Sequence, residues 1–150
     1  MGSVDASRFQ TSATVPLWLN GKEVTTSHTF EVTSPTDHKV LYKVSSASES
    51  DVQAALDGAQ AAFRGWSKSK PALRRDIFLQ AAEIMVSRKE ELFQYSQSET
   101  GAERGVFEFE FGLAVDGLKT VAGLISTVQG AIIEPATEDS SAMVIWEPWG

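Results

Sequence analysis

Few residues in this chain are spaced for chemistry. The candidates are His28 and His38, the pair Glu108 and Glu110, and the run Glu99-Thr100-Gly101. A histidine binds metal when a second ligand stands at coordination spacing. Both histidines fall on turns of an opening β unit with no such partner, so they read as surface residues. Glu108 and Glu110 could be paired carboxylates for acid–base work. A period of two on a strand edge, or a solvated helix face, accounts for them more simply. Glu99-Thr100-Gly101 reads as a helix stop rather than a ligand loop. The chain has no cysteine, which excludes a thiol nucleophile, a thiolate zinc site and a disulfide framework. It contains neither Gly-x-Gly-x-x-Gly nor a Walker loop. Trp18, Trp66, Trp146 and Trp149 do not share one face, and read as core and interface anchors rather than a base-stacking platform. No residue is therefore assigned as catalytic, cofactor-binding or metal-ligating.

The elements around these residues belong to an ordinary globular composition. A length of 150 residues suffices for one domain with a sizeable core, and 42% hydrophobic with 22% charged residues is typical. The net charge of -7 argues against nucleic acid, which needs clustered Lys and Arg. Residues 1–75 carry 9 Lys and Arg against 7 Asp and Glu, whereas residues 76–150 carry 4 against 13. The acidic second half reads as solvated helix faces rather than an acidic binding surface. Residues 1–14 lack an apolar run and most of the arginines of a presequence, and are expected to be a disordered tail. The stretch Val121 to Ile133 is too short to span a bilayer. A soluble cytoplasmic protein without a membrane partner is expected.

Leu17 to Val24 predicts a hairpin, because Asn20-Gly21 tolerates the positive φ of a type I′ turn. Phe30-Glu31-Val32 and Val40 to Val44 predict strands around the turn Ser34-Pro35-Thr36-Asp37. A helical period follows. Ser48 and Asp51 form a capping box, and Val52, Ala55, Leu56, Ala59, Ala62, Phe63 and Trp66 make one apolar stripe ending near Gly65. Pro71 opens a second helix with the stripe Leu73, Ile77, Ala81, Ile84 and Met85. Ser87 and Glu90 look like a second capping box, opening a short helix closed by Gly101. Phe107 to Phe111 alternates like an edge strand, but the spacing Val106, Phe109, Leu113, Gly117, Val121, Leu124, Val128 is helical. The helical period persists further, and a long helix is favoured. Ala131-Ile132-Ile133 and Ala142 to Trp146 predict two strands, the second running into a Glu-Pro-X-Gly turn at Glu147. The helical stripes call for a surface to cover them, and this chain supplies few strands for it.

The order and the residues resemble the aldehyde dehydrogenase superfamily from about Val15 to Gly150. The resemblance rests on Leu19-Asn20-Gly21-Lys22-Glu23, Phe30-Glu31-Val32 with Ser34-Pro35, and Asp51-Val52 with Ala55 and Ala59. It continues through Ala62-Phe63 and Trp66, Arg75 with Leu79, Ala82 and Ile84, Glu99-Thr100-Gly101, and Glu147-Pro148-Trp149-Gly150. Ile132-Ile133 through Ala142-Met143-Val144 looks most like the salicylaldehyde or vanillin dehydrogenase branch. The resemblance implies an α/β fold in part: N-terminal β hairpins, about four helices that cover a cofactor domain, and the start of oligomerisation strands. Residues 15–130 would be the N-terminal part of the cofactor-binding domain, and residues 131–150 the beginning of the oligomerisation strands.

The family oxidises aldehydes to carboxylic acids with NAD or NADP, through a cysteine thiolate, a general-base glutamate and an oxyanion-binding asparagine. That asparagine lies in a Pro-Trp-Asn motif; here Pro148-Trp149 is followed by Gly150 and belongs to the earlier turn. The cofactor lysine, the glycine-rich turn, the glutamate and the cysteine lie further downstream in the family, so none is carried over. The expectation is a truncated N-terminal portion, inactive and without cofactor on its own. The alternative is a catalytically dead remnant that pairs with dehydrogenase subunits through its strands.

Overall fold

The computed structural model describes residues 14–149 of the chain. Seven short strands and four helices follow one another as β1 (Thr14–Val15), β2 (Leu17–Leu19), β3 (Lys22–Val24), β4 (Thr29–Thr33), β5 (Val40–Ser45), α1 (Glu49–Trp66), α2 (Pro71–Ser87), α3 (Lys89–Thr100), α4 (Arg104–Leu124), a 3-10 turn (Ile125–Thr127), β6 (Ala131–Ile133) and β7 (Ala142–Val144). The strands form a three-stranded sheet in the order β1-β5-β4 and two separate hairpins, β2-β3 and β6-β7.

Turn chemistry sets the β unit. Asn20 and Gly21 take φ of 52° and 76°, and the two-residue loop they form pairs Leu19 with Lys22. Between β4 and β5, the Ser34 N–H donates to the Lys39 carbonyl, and the His38 N–H donates back to the Ser34 carbonyl. β1 runs parallel to β5, with Thr14 opposite Lys43 and Val15 opposite Val44. The disordered tail expected over residues 1–14 lies outside the described residues except for Thr14, which is instead the first residue of β1. Thr26 fastens the β2–β3 hairpin to this sheet: its N–H donates to the Ser45 hydroxyl, and its own hydroxyl lies 2.9 Å from the Ser46 carbonyl.

Caps bound the helices. Ser48 and Asp51 form the reciprocal capping box of α1, and Pro71 opens α2. Gly101, at φ 72°, closes α3 by donating its N–H to the Gln97 carbonyl. The second capping box did not form. Ser87 is the last residue of α2 and its hydroxyl donates to the Ile84 carbonyl, while Arg104 holds the Glu90 carboxylate. Arg88 caps α3 without a side-chain bond. Phe107 to Phe111 lies inside α4, as the longer period requires. The final strand ends at Val144, so Ile145 and Trp146 fall outside it.

The core is small and lies among α2, α3 and α4. Ala82 and Ala122 are each only 1% exposed, and the two alanines let α2 and α4 approach closely. Phe93, Phe107 and Val115 complete it. Phe93 meets Phe107 edge-on at 5.3 Å between ring centroids, and Phe107 meets Phe111 at 5.4 Å. Helix α1 has no buried residue, and Val52, Leu56 and Trp66 of its predicted stripe are exposed. Trp18, Trp146 and Trp149 are exposed as well, so none of the four tryptophans anchors the core. The two-stranded hairpins that carry Trp18, or lead to Trp146, are too thin to enclose an indole.

Candidate functional site

A group of engaged polar side chains lies where the β4–β5 turn faces α3. Tyr42 of β5 is buried. Its hydroxyl donates to the carboxylate of Glu99 in the last turn of α3, 57 residues away. A carboxylate there opposes the negative end of the helix dipole, so the phenol is a compensating partner. Gly101 brings the backbone beside the turn: a Cβ there would sit 3.5 Å from Pro35 and 3.6 Å from the Thr36 hydroxyl. Between turn and helix runs a groove of about 710 Å3, with Thr36, Lys39 and Tyr42 on one wall and Gln94, Tyr95 and Ser98 on the other.

Burial, and then the Glu99 carboxylate, hold the Tyr42 hydroxyl well above its ordinary range. Tyr95 is raised likewise, first by burial and then by Glu91, to which its hydroxyl donates at 3.3 Å. Both phenols are therefore protonated near neutrality and serve as donors, not as bases. Arg88 grips Glu91 with two bonds of 2.7 and 2.8 Å, lowering the carboxyl. At the rim, Asp37 is drawn down to about 2, chiefly by the Lys39 ammonium at 2.7 Å, then by the Lys39 N–H and the Ser34 hydroxyl. No nucleophile stands beside a base in this arrangement. It can fix the β unit against α3 and offer hydroxyls and amides to a polar group.

The structure does not bring the sequence candidates together. His28 immediately precedes β4, whereas His38 lies in the turn between β4 and β5, with the five-residue strand between them. The His28 carbonyl accepts from the Ser46 N–H, while His38 occupies a turn at φ 57°. Glu108 and Glu110 point about 200° apart around α4. Glu108 is paired with Lys89 and lies 3.6 Å from Arg104, and Arg104 stacks on the Phe93 ring at 3.7 Å. Glu99 belongs to the groove through Tyr42, whereas Thr100 only returns its hydroxyl to the Ser96 carbonyl. Sequence reasoning missed Tyr42, Tyr95, Arg88 and Glu91; the one available signal was an acidic side chain in the last turn of a helix. Among the described residues, no group of three His, Cys, Asp or Glu could hold a metal ion, and no helix is long and apolar enough to cross a membrane.

Known proteins resemble both sequence and fold. The family model described as Aldehyde dehydrogenase family matches residues 22–150. A vanillin dehydrogenase of a Pseudomonas species is 37% identical over 138 residues, covering 91% of this chain and 28% of that protein. The solved salicylaldehyde dehydrogenase of Pseudomonas putida superposes with a TM-score of 0.85 at 24% identity, over 91% of this chain and 29% of that one. A benzaldehyde dehydrogenase of Corynebacterium glutamicum, described as NAD-dependent, superposes at 0.78 with 26% identity, over 92% of this chain and 29% of that one. The chain thus spans under a third of the length of these relatives.

Proposed function

Because this chain belongs to the aldehyde dehydrogenase family, we propose that it forms the N-terminal portion of an NAD(P)-dependent enzyme oxidising aldehydes to carboxylic acids, with aromatic aldehydes as the substrate class. The observation that carries this reading is a mismatch. The sequence aligns over nine-tenths of its length with 28% of a vanillin dehydrogenase, yet the helices so aligned leave large apolar side chains uncovered. The aromatic class is supported by the vanillin, salicylaldehyde and benzaldehyde named for the relatives.

In this reading the 150 residues supply scaffold and no chemistry. The whole sequence lacks cysteine, so the thiolate that would attack the aldehyde is not among its residues. The described residues also do not fit a dinucleotide. Such a cofactor sits at the carboxyl ends of parallel strands, against free amides at a helix N-terminus. The one parallel pairing among the described residues, β1 with β5, is two residues long. The helix that follows β5 has Ser48 and Asp51 already on its first amides. No step of the oxidation is therefore assigned to this chain.

The test is direct. The purified 150-residue chain should give no benzaldehyde- or vanillin-dependent NADH or NADPH formation above buffer, and no saturable heat on titration with millimolar NAD. Turnover that follows the protein through purification would overturn the reading; one-to-one NAD binding would show that the fold boundary is misplaced.

A second reading is favoured by one region. The β6–β7 hairpin exposes Ile132, Ile133, Met143 and Val144, and Ile145 and Trp146 beyond it are exposed too. A two-stranded ribbon with free edges invites strand addition. In this reading the chain acts by joining the strands of full-length dehydrogenase subunits. Co-expression with a full-length family member should then recover both chains together, with Ile132→Lys and Met143→Lys abolishing recovery; separate elution of the two chains would reject it.

A further inference from the structure

We draw no further inference here: the strongest candidate, the groove of about 710 Å3 between the β4–β5 turn and α3, carries nothing because no buried side-chain nitrogen or oxygen among the described residues lacks a partner and nothing in the structure points to what would occupy it.

Discussion

Helices α1 and α2 both carry apolar stripes, yet they meet different surroundings. α2 lies on α4, with Ala82 and Ala122 each only 1% exposed, and Val115 and Phe107 are buried further along α4. α1 touches the rest of the molecule chiefly through the tip of the β2–β3 hairpin, where the Asn20 amide donates to the Ala54 carbonyl, and Leu56 stays 60% exposed. An amphipathic period thus states that a face is to be covered, not what covers it. α2 itself is divided: Ala82 is buried, while Leu73 and Ile77 remain exposed. Within this chain α2–α4 supplies the packing, and α1 and the β6–β7 hairpin keep large apolar side chains exposed.

The contrast is sharpest in the core. Phe107→Ala should destabilise the helical layer by about 3–5 kcal/mol, as large-to-small changes at buried aromatics do. Leu56→Ser on the open face of α1 should fall within about 0.5 kcal/mol. Urea titration of the helical signal measures both, and equal losses would mean that α1 is as well packed as α2.

The contact between sheet and helix should be next. Tyr42→Phe removes the phenol from Glu99, whose exposed carboxylate water can then solvate, and should cost about 0.5–1.5 kcal/mol. The pH dependence follows from the raised hydroxyl. A group whose folded pKa is raised gives stability that is complete below its unfolded value, about 10 for tyrosine, and is lost as pH climbs through the folded value. The natural chain should therefore lose stability in alkali above that point, and Tyr42→Phe should flatten the alkaline limb. An unchanged limb would place Tyr42 outside the linkage.

A smaller effect tests how α1 is held. A Cβ on Gly58 would lie 1.8 Å from the Asn20 side-chain oxygen, so Gly58→Ala must displace that side chain and lose its bond to Ala54. Alanine restores about 1 kcal/mol of helix propensity, leaving a small net change but a loosened hairpin, visible in Trp18 emission. Adding Asn20→Gly removes the collision and should recover the propensity gain; no gain would show that another contact docks the hairpin.

The smallest effect lies at the rim of the groove. Lys39→Met should return Asp37 from about 2 toward its ordinary 3.8, as a carbon-detected NMR titration would record. The lowered carboxyl gives stability present above its unfolded value and lost as pH falls through about 2. Asp37 is exposed, and titration rather than stability is the suitable readout. An unmoved Asp37 would assign its shift to the backbone N–H and Ser34.

Signals confined to a few neighbouring residues were legible in the sequence. Asn20-Gly21, Ser48 with Asp51, Pro71 and Gly101 each act through their own backbone, and each appears where its chemistry requires. Ser87 turns its hydroxyl back to the Ile84 carbonyl, and the competition for Glu90 is not local: Arg104, fourteen residues on, holds it. The Tyr42–Glu99 contact was illegible for the same reason, since nothing in either segment specifies that β5 meets the end of α3. The four tryptophans share no face and read as core and interface anchors, yet burial in the core needs a covering layer, and all four are exposed. The resemblance reaches further than periodicity because it draws on the order and spacing of many segments at once.

The central claim is that α1 and the terminal hairpin need surfaces this chain does not contain. Sizing together with near- and far-ultraviolet circular dichroism of the purified chain tests it most directly. Burial of one Leu-sized side chain contributes about 1.5–3 kcal/mol against a usual net stability of about 5–15 kcal/mol, so several uncovered positions weigh heavily. The account predicts a helical far-ultraviolet spectrum, a weak near-ultraviolet signal from the four tryptophans, and oligomers or aggregates on sizing. A monomer with a strong near-ultraviolet spectrum and one sharp unfolding transition would contradict it and establish an autonomous domain.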